Sequence, residues 1–449
     1  MLPVLSLFFC AGDFAVLDQD KHRYWHKQQY SYLFFASLRL CVSVQADNAK
    51  RETRNAKLHM QQQHSPVVEL LRELIRIPSP NPPGDTRAMA DYCAALLERA
   101  GFETMVVAPD GRAWSTIGVA GTESGPSLLF HAHIDTVPLG QNASWRYDPF
   151  SGTIADGRIY GLGSIDDKAP LAAMLRAAVD CAAGGPLRGR LVVACAGDEE
   201  VGGQLGTRWL VDQGYVPACD FVIVGEQTHN RVAIAHKGVL RAAVHVRGRT
   251  AHATDPARGR NAINGMAQLI LDLERYGSEV LAQRSHPLVG APSINVGVIN
   301  GGVSANVVAD ACTIKLDRRM VPGEDPGEVR AELEAIVAAR GRADPEREYA
   351  LDSFLVSPWF ESRGDDRYTQ RLLELCAAET GAPAEPVGYL PGSDAKHLLG
   401  VARRGMVVFG PGSYEQAHAV DEYTEAGELE QTYRILARFA DELIGGAPC

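Results

Sequence analysis

From Ser65-Pro66 onward the chain switches repeatedly between two hydrophobic periods. Apolar residues fall at helical spacing in VVELLRELIRI (67–77) and again over 87–101, where Gly101 ends the run. Between them IPSPNPPGDT, with prolines at 78, 80, 82 and 83, reads as a loop. A strand pair is predicted over 103–108 and 113–121. Four short, continuous apolar runs follow, at 127–130, 191–196, 221–224 and 406–409. Runs of this length without alternation suit strands buried on both faces of an α/β sheet. Amphipathic helices are predicted over 367–380 and about 425–444. The interval between the third and fourth runs has its own order. Residues 239–247 alternate as a strand, 261–276 are helical, 293–299 and 312–318 are strands, 326–340 are helical and 348–355 are extended. That β-α-β-β-α-β sequence is the ferredoxin-like pattern. The expected architecture is therefore α/β, with one part at 60–237, an inserted α+β unit at 238–355 and a second part at 356–449.

Polar residues at the ends of the apolar runs carry the candidate chemistry, because strand carboxyl ends face the ligand crevice of an open α/β sheet. The run 191–196 breaks at Gly197 into Asp198, Glu199 and Glu200, followed by Gly202-Gly203. Of two adjacent glutamates, one can bind a metal while the other stays free as a general base. Alone, these acids read more readily as a solvated turn capping the next helix. His133-Ile134-Asp135 follows the run 127–130, and its alternate side chains share one side. A histidine there can bind a metal while the aspartate holds its other ring nitrogen. Asp166 and Asp167 lie in YGLGSIDDKAP before a helix, where either could be an N-cap. Glu226 ends FVIVGE, and His418 follows the run 406–409 through Gly410-Pro411-Gly412. Each signal is weak singly. Together they deliver two imidazoles and three carboxylates, His133, Asp166, Glu200, Glu226 and His418, a set suited to a pair of zinc-like ions with one bridging carboxylate.

Composition narrows the classes. The chain has 449 residues and a net charge of −11, so the basic footprint of a nucleic-acid binder is absent. No apolar run approaches the roughly 20 residues of a membrane span. Nine scattered cysteines, without a C-x-x-C pair, fit a reducing, cytoplasmic setting better than a disulfide framework. Residues 1–59 stand apart. MLPVLSLFFCAG resembles a short signal core without a basic start or a clear cleavage site. This stretch reads as a disordered or mis-assigned extension with Met60 as the working start; the alternative is a targeting segment.

The motifs HAHIDTVP, GSIDDK, GDEEVGG, VGEQT, GRTAHA, NVGVINGG and the terminal GPG…QAH..DEY, in this order over about 65–445, resemble the di-zinc amidohydrolases and exopeptidases. That family includes acetylornithine deacetylase, succinyl-diaminopimelate desuccinylase, carboxypeptidase G and aminoacylase. The resemblance implies a zinc-exopeptidase-like catalytic domain with an inserted ferredoxin-like lid and dimerisation domain. It implies two Zn2+ per subunit, with Co2+ or Mn2+ as substitutes. His133 and Glu226 would bind one ion, Glu200 and His418 the other, and Asp166 both. Asp135 would be the partner of His133, and Glu199 the general base. A cis peptide at Asp166–Asp167 is also implied. His252 would reach the neighbouring subunit's substrate and steady the oxyanion. Asn306 and Arg319 would hold the substrate carboxylate; without the resemblance they read as a turn asparagine and a surface arginine. Gly392 and Ser393 match a substrate-facing turn, although Ser393 or Asp394 equally suits a helix N-cap. One departure is Gln227, where the family has proline.

The resulting expectation is a metal-dependent hydrolase that cleaves the amide bond of an N-acyl amino acid. Glu199 would deprotonate a metal-activated water. GPG with QAH and Asp421-Glu422, together with IPSPNPPGD, sides with acetylornithine deacetylase over the desuccinylase. A dipeptidase or carboxypeptidase is the alternative, and a catalytically silent binding protein is the rival from another class. A homodimer formed through the lid is expected, with a small-molecule substrate and no nucleic-acid or membrane partner.

Overall fold

The computed structural model describes residues 64–140 and 144–446. The expected extension at 1–59 lies outside the described residues. The chain enters as helix α1 (Pro66–Ile75) and α2 (Arg87–Arg99), then strands β1 (Glu103–Val107), β2 (Ser115–Gly121), β3 (Ser127–His133), β4 (Thr153–Ala155) and β5 (Arg158–Tyr160). It continues through α3 (Lys168–Ala183), β6 (Arg190–Ala196), α4 (Thr207–Asp212), β7 (Cys219–Gly225) and β8 (Ala233–His236). Next come β9 (Gly238–Arg247), α5 (Ala262–Arg275), β10 (Ser293–Gly301), β11 (Ala311–Met320), α6 (Pro326–Ala343) and β12 (Glu348–Ser357). The chain closes with β13 (Phe360–Glu361), α7 (Arg367–Thr380), β14 (Val387–Tyr389), α8 (Ala395–Leu398), β15 (Ala402–Phe409), β16 (Tyr423–Glu425) and α9 (Ala426–Ile444).

A nine-stranded mixed sheet has the order β1-β2-β6-β3-β7-β15-β8-β13, with β14 beside β8. Its centre, β6-β3-β7-β15, is parallel, and its strands end level: His133 pairs with Ala196, and Phe409 with Gly225. Period-two alternation splits these strands between two cores. Leu128, Phe130, Val193, Ile223 and Phe409 face the helices α1, α2, α3, α7 and α9. Leu129, Val192, Ala194, Val222 and Val408 face α4 and α8. Burial on both faces explains why these strands read as unbroken apolar runs.

The inserted unit has the predicted order. Its antiparallel sheet runs β10-β11-β9-β12, with a core of its own that includes Leu240, Met266, Ile314 and Leu333. The short elements β8, β13, β14, α4 and α8 are not expected from the sequence, and two further features differ from it. Helix α3 begins at Lys168 rather than near 171, because Pro170 fits the first helical turn, where no N–H is needed. A small sheet, β16-β5-β4, is also present, built of three-residue strands too short to show a period.

Phe439 of α9 packs on Phe221 of β7 with ring centroids 5.4 Å apart, and Phe221 packs in turn on Tyr368 of α7 at 5.6 Å. Phe439→Ala is expected to lower the unfolding free energy by about 3–5 kcal/mol. Urea unfolding measures the loss, and metal stoichiometry should not change, since Phe221 lies near the start of β7, away from the strand end that leads to Glu226.

Candidate metal centre and active-site cleft

The level ends of four adjacent parallel strands place the chemistry. Strand β3 ends in His133, β6 leads to Glu199 and Glu200, β7 leads to Glu226, and β15 leads through a glycine turn to His418. Asp166 arrives from the loop between β5 and α3. One donor atom each from His133, Asp166 and Glu226 lies within 4.8 Å of the others, and the same holds for Asp166, Glu200 and His418. Asp166 is common to both groups. Its Oδ1 lies 3.0 Å from His133 Nε2 and its Oδ2 3.2 Å from His418 Nε2, while Glu200 Oε2 lies 3.1 Å from His418 Nε2. The Asp166–Asp167 peptide is cis.

Asp135 does more than the sequence suggested. His133 Nδ1 meets the Asp135 backbone oxygen at 3.0 Å and its carboxylate at 3.4 Å. The carboxylate also accepts the backbone N–H groups of Glu199 (3.1 Å) and Glu200 (3.2 Å) and the Asn81 amide at 2.9 Å. One buried aspartate therefore orients both an imidazole and the loop that bears the two glutamates. That loop turns through left-handed backbone at Asp198 (φ 80°), whose carboxylate accepts the Leu205 N–H at 2.8 Å. A short polar side chain is among the few that tolerate this conformation.

The charges are crowded. Burial, then Asp167 and Asp166, push Glu226 well above the usual carboxylate range. Burial raises Glu199 to about 8 against the pull of the Lys396 ammonium. Hydrogen bonds with Asp166 and Glu200 lift His418 to about 10. Burial opposes ionisation of Asp166, yet its hydrogen bonds with His133 and His418 hold it well below the usual range. Glu200 Oε1 is buried without a hydrogen-bond partner among the described residues. A cluster of carboxylates that burial and mutual repulsion resist, with an orphaned oxygen and two imidazoles, fits a pair of divalent cations.

A cleft of about 360 Å³ opens beside this cluster. Of the expected substrate residues, Arg319 and Gly392 line it. Ser393 instead lies buried behind the wall, where its Oγ accepts the Ala395 N–H at 3.3 Å, while the N-cap position of α8 is Asp394, whose side chain makes no capping bond. His252 and Asn306 do not line the cleft of their own chain. His252 is exposed and bonded to Thr254, and Asn306 is bonded to Ser304. Strand register explains the basic wall: Asp317 pairs across β11–β9 with Arg241, and its carboxylate takes Arg241 at 3.0 Å and Arg319 at 2.8 Å.

Several residues escaped the sequence reading. Tyr389 donates to Glu226 at 2.9 Å. Glu422, in the terminal DEY motif, accepts the N–H groups of Gly163, Ile165 and Asp166 at 2.8–3.1 Å. Lys396 donates to Glu199 at 3.1 Å. None stands at a spacing that local sequence could single out.

The fold and the cluster define a metal-binding α/β hydrolase. Residues 129–442 match the model of peptidase family M20/M25/M40, and the chain belongs to that family. It is a metal-dependent hydrolase of amide bonds. It is 30% identical over 388 residues to acetylornithine deacetylase of Proteus mirabilis (strain HI4320), covering 83% of this chain and 96% of the relative. Its fold is similar to that of the M20 family metallo-carboxypeptidase of Sulfolobus solfataricus, with a TM-score of 0.71 at 19% identity over 84% of this chain and 98% of the other. It is similar also to a dinuclear metal-binding M20 peptidase of Bacillus subtilis, with a TM-score of 0.63 at 16% identity over 83% and 96% of the two chains.

Behind the cleft, Thr207 donates to Asp394 at 2.6 Å, so the 2.7 Å contact between His131 Nε2 and the Thr207 hydroxyl has the imidazole as donor. Burial keeps His131 neutral, with its pKa lowered to about 4. Above pH 6.5 folded and unfolded chains both hold this ring neutral, and it contributes no pH dependence. Between about pH 6.5 and 4 only the unfolded chain takes up the proton, so stability falls by up to about 1.4 kcal/mol per pH unit. The pH slope of the unfolding free energy over this window is expected to be shallower in His131→Asn by about one proton, as read from denaturant titrations.

Proposed function

We propose that the protein is a di-zinc N-acyl amino acid deacylase of the acetylornithine deacetylase kind, working as a homodimer. The observation that carries the reading is the position of Asp166, shared between two donor groups at the mouth of a cleft that Glu199 also lines. His133, Asp166 and Glu226 would hold one ion, and Asp166, Glu200 and His418 the other. The ions, when bound, polarise the scissile carbonyl and acidify water. Glu199 takes the proton from the attacking water and returns it to the leaving amine. Arg319, beside Arg241, faces the substrate carboxylate, and Gly392 lines the same cleft. The names of the curated relatives support the acyl amino acid assignment. No described helix is long and apolar enough to cross a membrane. The six described cysteines are free and buried, which supports a reducing, cytoplasmic setting.

The dimer reading rests on the inserted unit. Strand β10 is the edge of its sheet and exposes Val298 and Ile299, with Ile263 and Leu271 exposed on the neighbouring α5. An unprotected apolar edge is suited to pairing with a second copy. His252 and Asn306 lie outside their own cleft, and in this reading they complete the partner's, where His252 steadies the oxyanion.

The decisive experiment is hydrolysis of N-acetyl-L-ornithine by the zinc-loaded full chain, beside other N-acyl amino acids and dipeptides, with a chelated control. Chelator-sensitive release of acetate supports the reading. Turnover of dipeptides alone moves the protein to the peptidases, and absence of both turnover and bound metal overturns the reading. Glu199→Gln is expected to lower kcat by about 100- to 10,000-fold with two metals still bound; metal loss in that variant would mean that Glu199 is a ligand. Val298→Glu is expected to shift the mass measured by light scattering from dimer to monomer and to lower activity with it.

A further inference from the structure

The turn after β14 touches the glutamate loop at three points. Lys396 Nζ lies 3.1 Å from Glu199 Oε1. His397 Nε2 meets the Gly202 backbone oxygen at 3.1 Å. Gly203, at φ +71°, is pressed so close that a Cβ there would lie 2.5 Å from Asp394 Oδ1. Asp394 is itself tied to the sheet through Thr207 and His131. Helix α8 is thus held on one side by the core and on the other by the loop that carries Glu199.

We propose that Lys396 is a positioning residue that fixes the carboxylate of Glu199 for proton transfer; this rests on the general-base reading above. The Lys396 side chain is only 3% exposed, although it reaches the cleft wall. A buried ammonium is costly unless an anion pairs with it, and more so beside a centre suited to two divalent cations. Glu199 is the anion it reaches at hydrogen-bond distance, while Asp394 stands 3.8 Å away. Glu199 sits on a three-residue turn flanked by left-handed backbone at Asp198 and Gly202, and its side chain has three rotatable bonds. Tying Oε1 to Lys396 confines that side chain and leaves Oε2 without a protein partner among the described residues, free to take the proton of the reacting water. Rotamer freedom removed before the reaction does not have to be lost during it. The neighbouring contacts of His397 and Asp394 serve the same end, since they hold the segment bearing Lys396 in register with the loop bearing Glu199.

The test compares Lys396→Met and Lys396→Arg with the wild type, each zinc-loaded, on an N-acyl amino acid that the wild type hydrolyses. Lys396→Met is expected to lower kcat by about 10- to 100-fold, with KM within about threefold and two metals retained, and Lys396→Arg to restore most of the rate. In the Glu199→Gln background Lys396→Met should cost nothing further, because the two residues act as one unit. A raised KM with kcat intact would make Lys396 a substrate clamp and overturn the proposal. Loss of metal or of thermal stability in step with the rate would make it structural and overturn it as well. Crystal structures of both metal-loaded proteins supply a readout independent of turnover: the Glu199 carboxylate should occupy one position in the wild type and several in Lys396→Met. An unchanged Glu199 position would sink the proposal. If the wild type hydrolyses no acyl amino acid or dipeptide, it is the general-base reading that fails, and the Glu199 comparison still decides the positioning of that side chain.

Discussion

Carboxylates that repel one another in a buried space are the constraint on which the site depends. Asp166, Asp167, Glu199, Glu200 and Glu226 all converge at the end of one sheet, where burial and mutual repulsion oppose ionisation of most of them. Hydrogen bonds within the protein offset part of this. Imidazoles stand between the carboxylates, backbone N–H groups point at Asp135 and Glu422, and Tyr389 donates to Glu226. The remainder calls for cations, and the two donor groups that share Asp166 are where cations fit. A folded chain with such a cluster is therefore stabilised by whatever metal it binds, through mass action on the native state.

The sheet makes this concentration of charge feasible. Four parallel strands buried on both faces supply a rigid floor, and their level ends bring residues from distant parts of the chain within reach. Because the strands are packed between two cores, their ends cannot drift apart to relieve repulsion. The loops beyond them are held individually. Asp135 gathers the glutamate loop, Glu422 gathers the turn that leads to Asp166, and α8 leans on the glutamate loop through Lys396 and His397. Rigidity of this kind is what a pre-organised catalytic centre requires, since a misplacement of about 1 Å costs rate.

The inserted unit answers a separate need. Its edge strand and exposed helix face leave apolar surface uncovered, and its wall places Arg241 and Arg319 on the single carboxylate of Asp317, so that this trio carries one net positive charge at the cleft. Arg318, between Asp317 and Arg319, points the other way and is fully buried against Glu324 at 2.6 Å. Strand alternation alone sends two adjacent arginines to opposite fates.

Much of this was legible in the amino-acid sequence. Long periodic helices, doubly buried strands and the β-α-β-β-α-β insertion each carry a repeated hydrophobic signal, and the strand-end residues His133, Glu200 and Glu226 follow apolar runs that announce them. The tertiary structure alone decided what lies across the chain. The three-residue strands of the small sheet have no period to read, and Tyr389, Glu422 and Lys396 acquire their partners 163, 259 and 197 residues away. Which of the two residues expected at the substrate carboxylate line this chain's cleft was equally hidden: Arg319 does so by strand register, whereas Asn306 does not. Local sequence records which face of an element is apolar, because that pattern repeats within the element. A single polar contact between distant elements leaves no repeat, and only the packed fold reveals it.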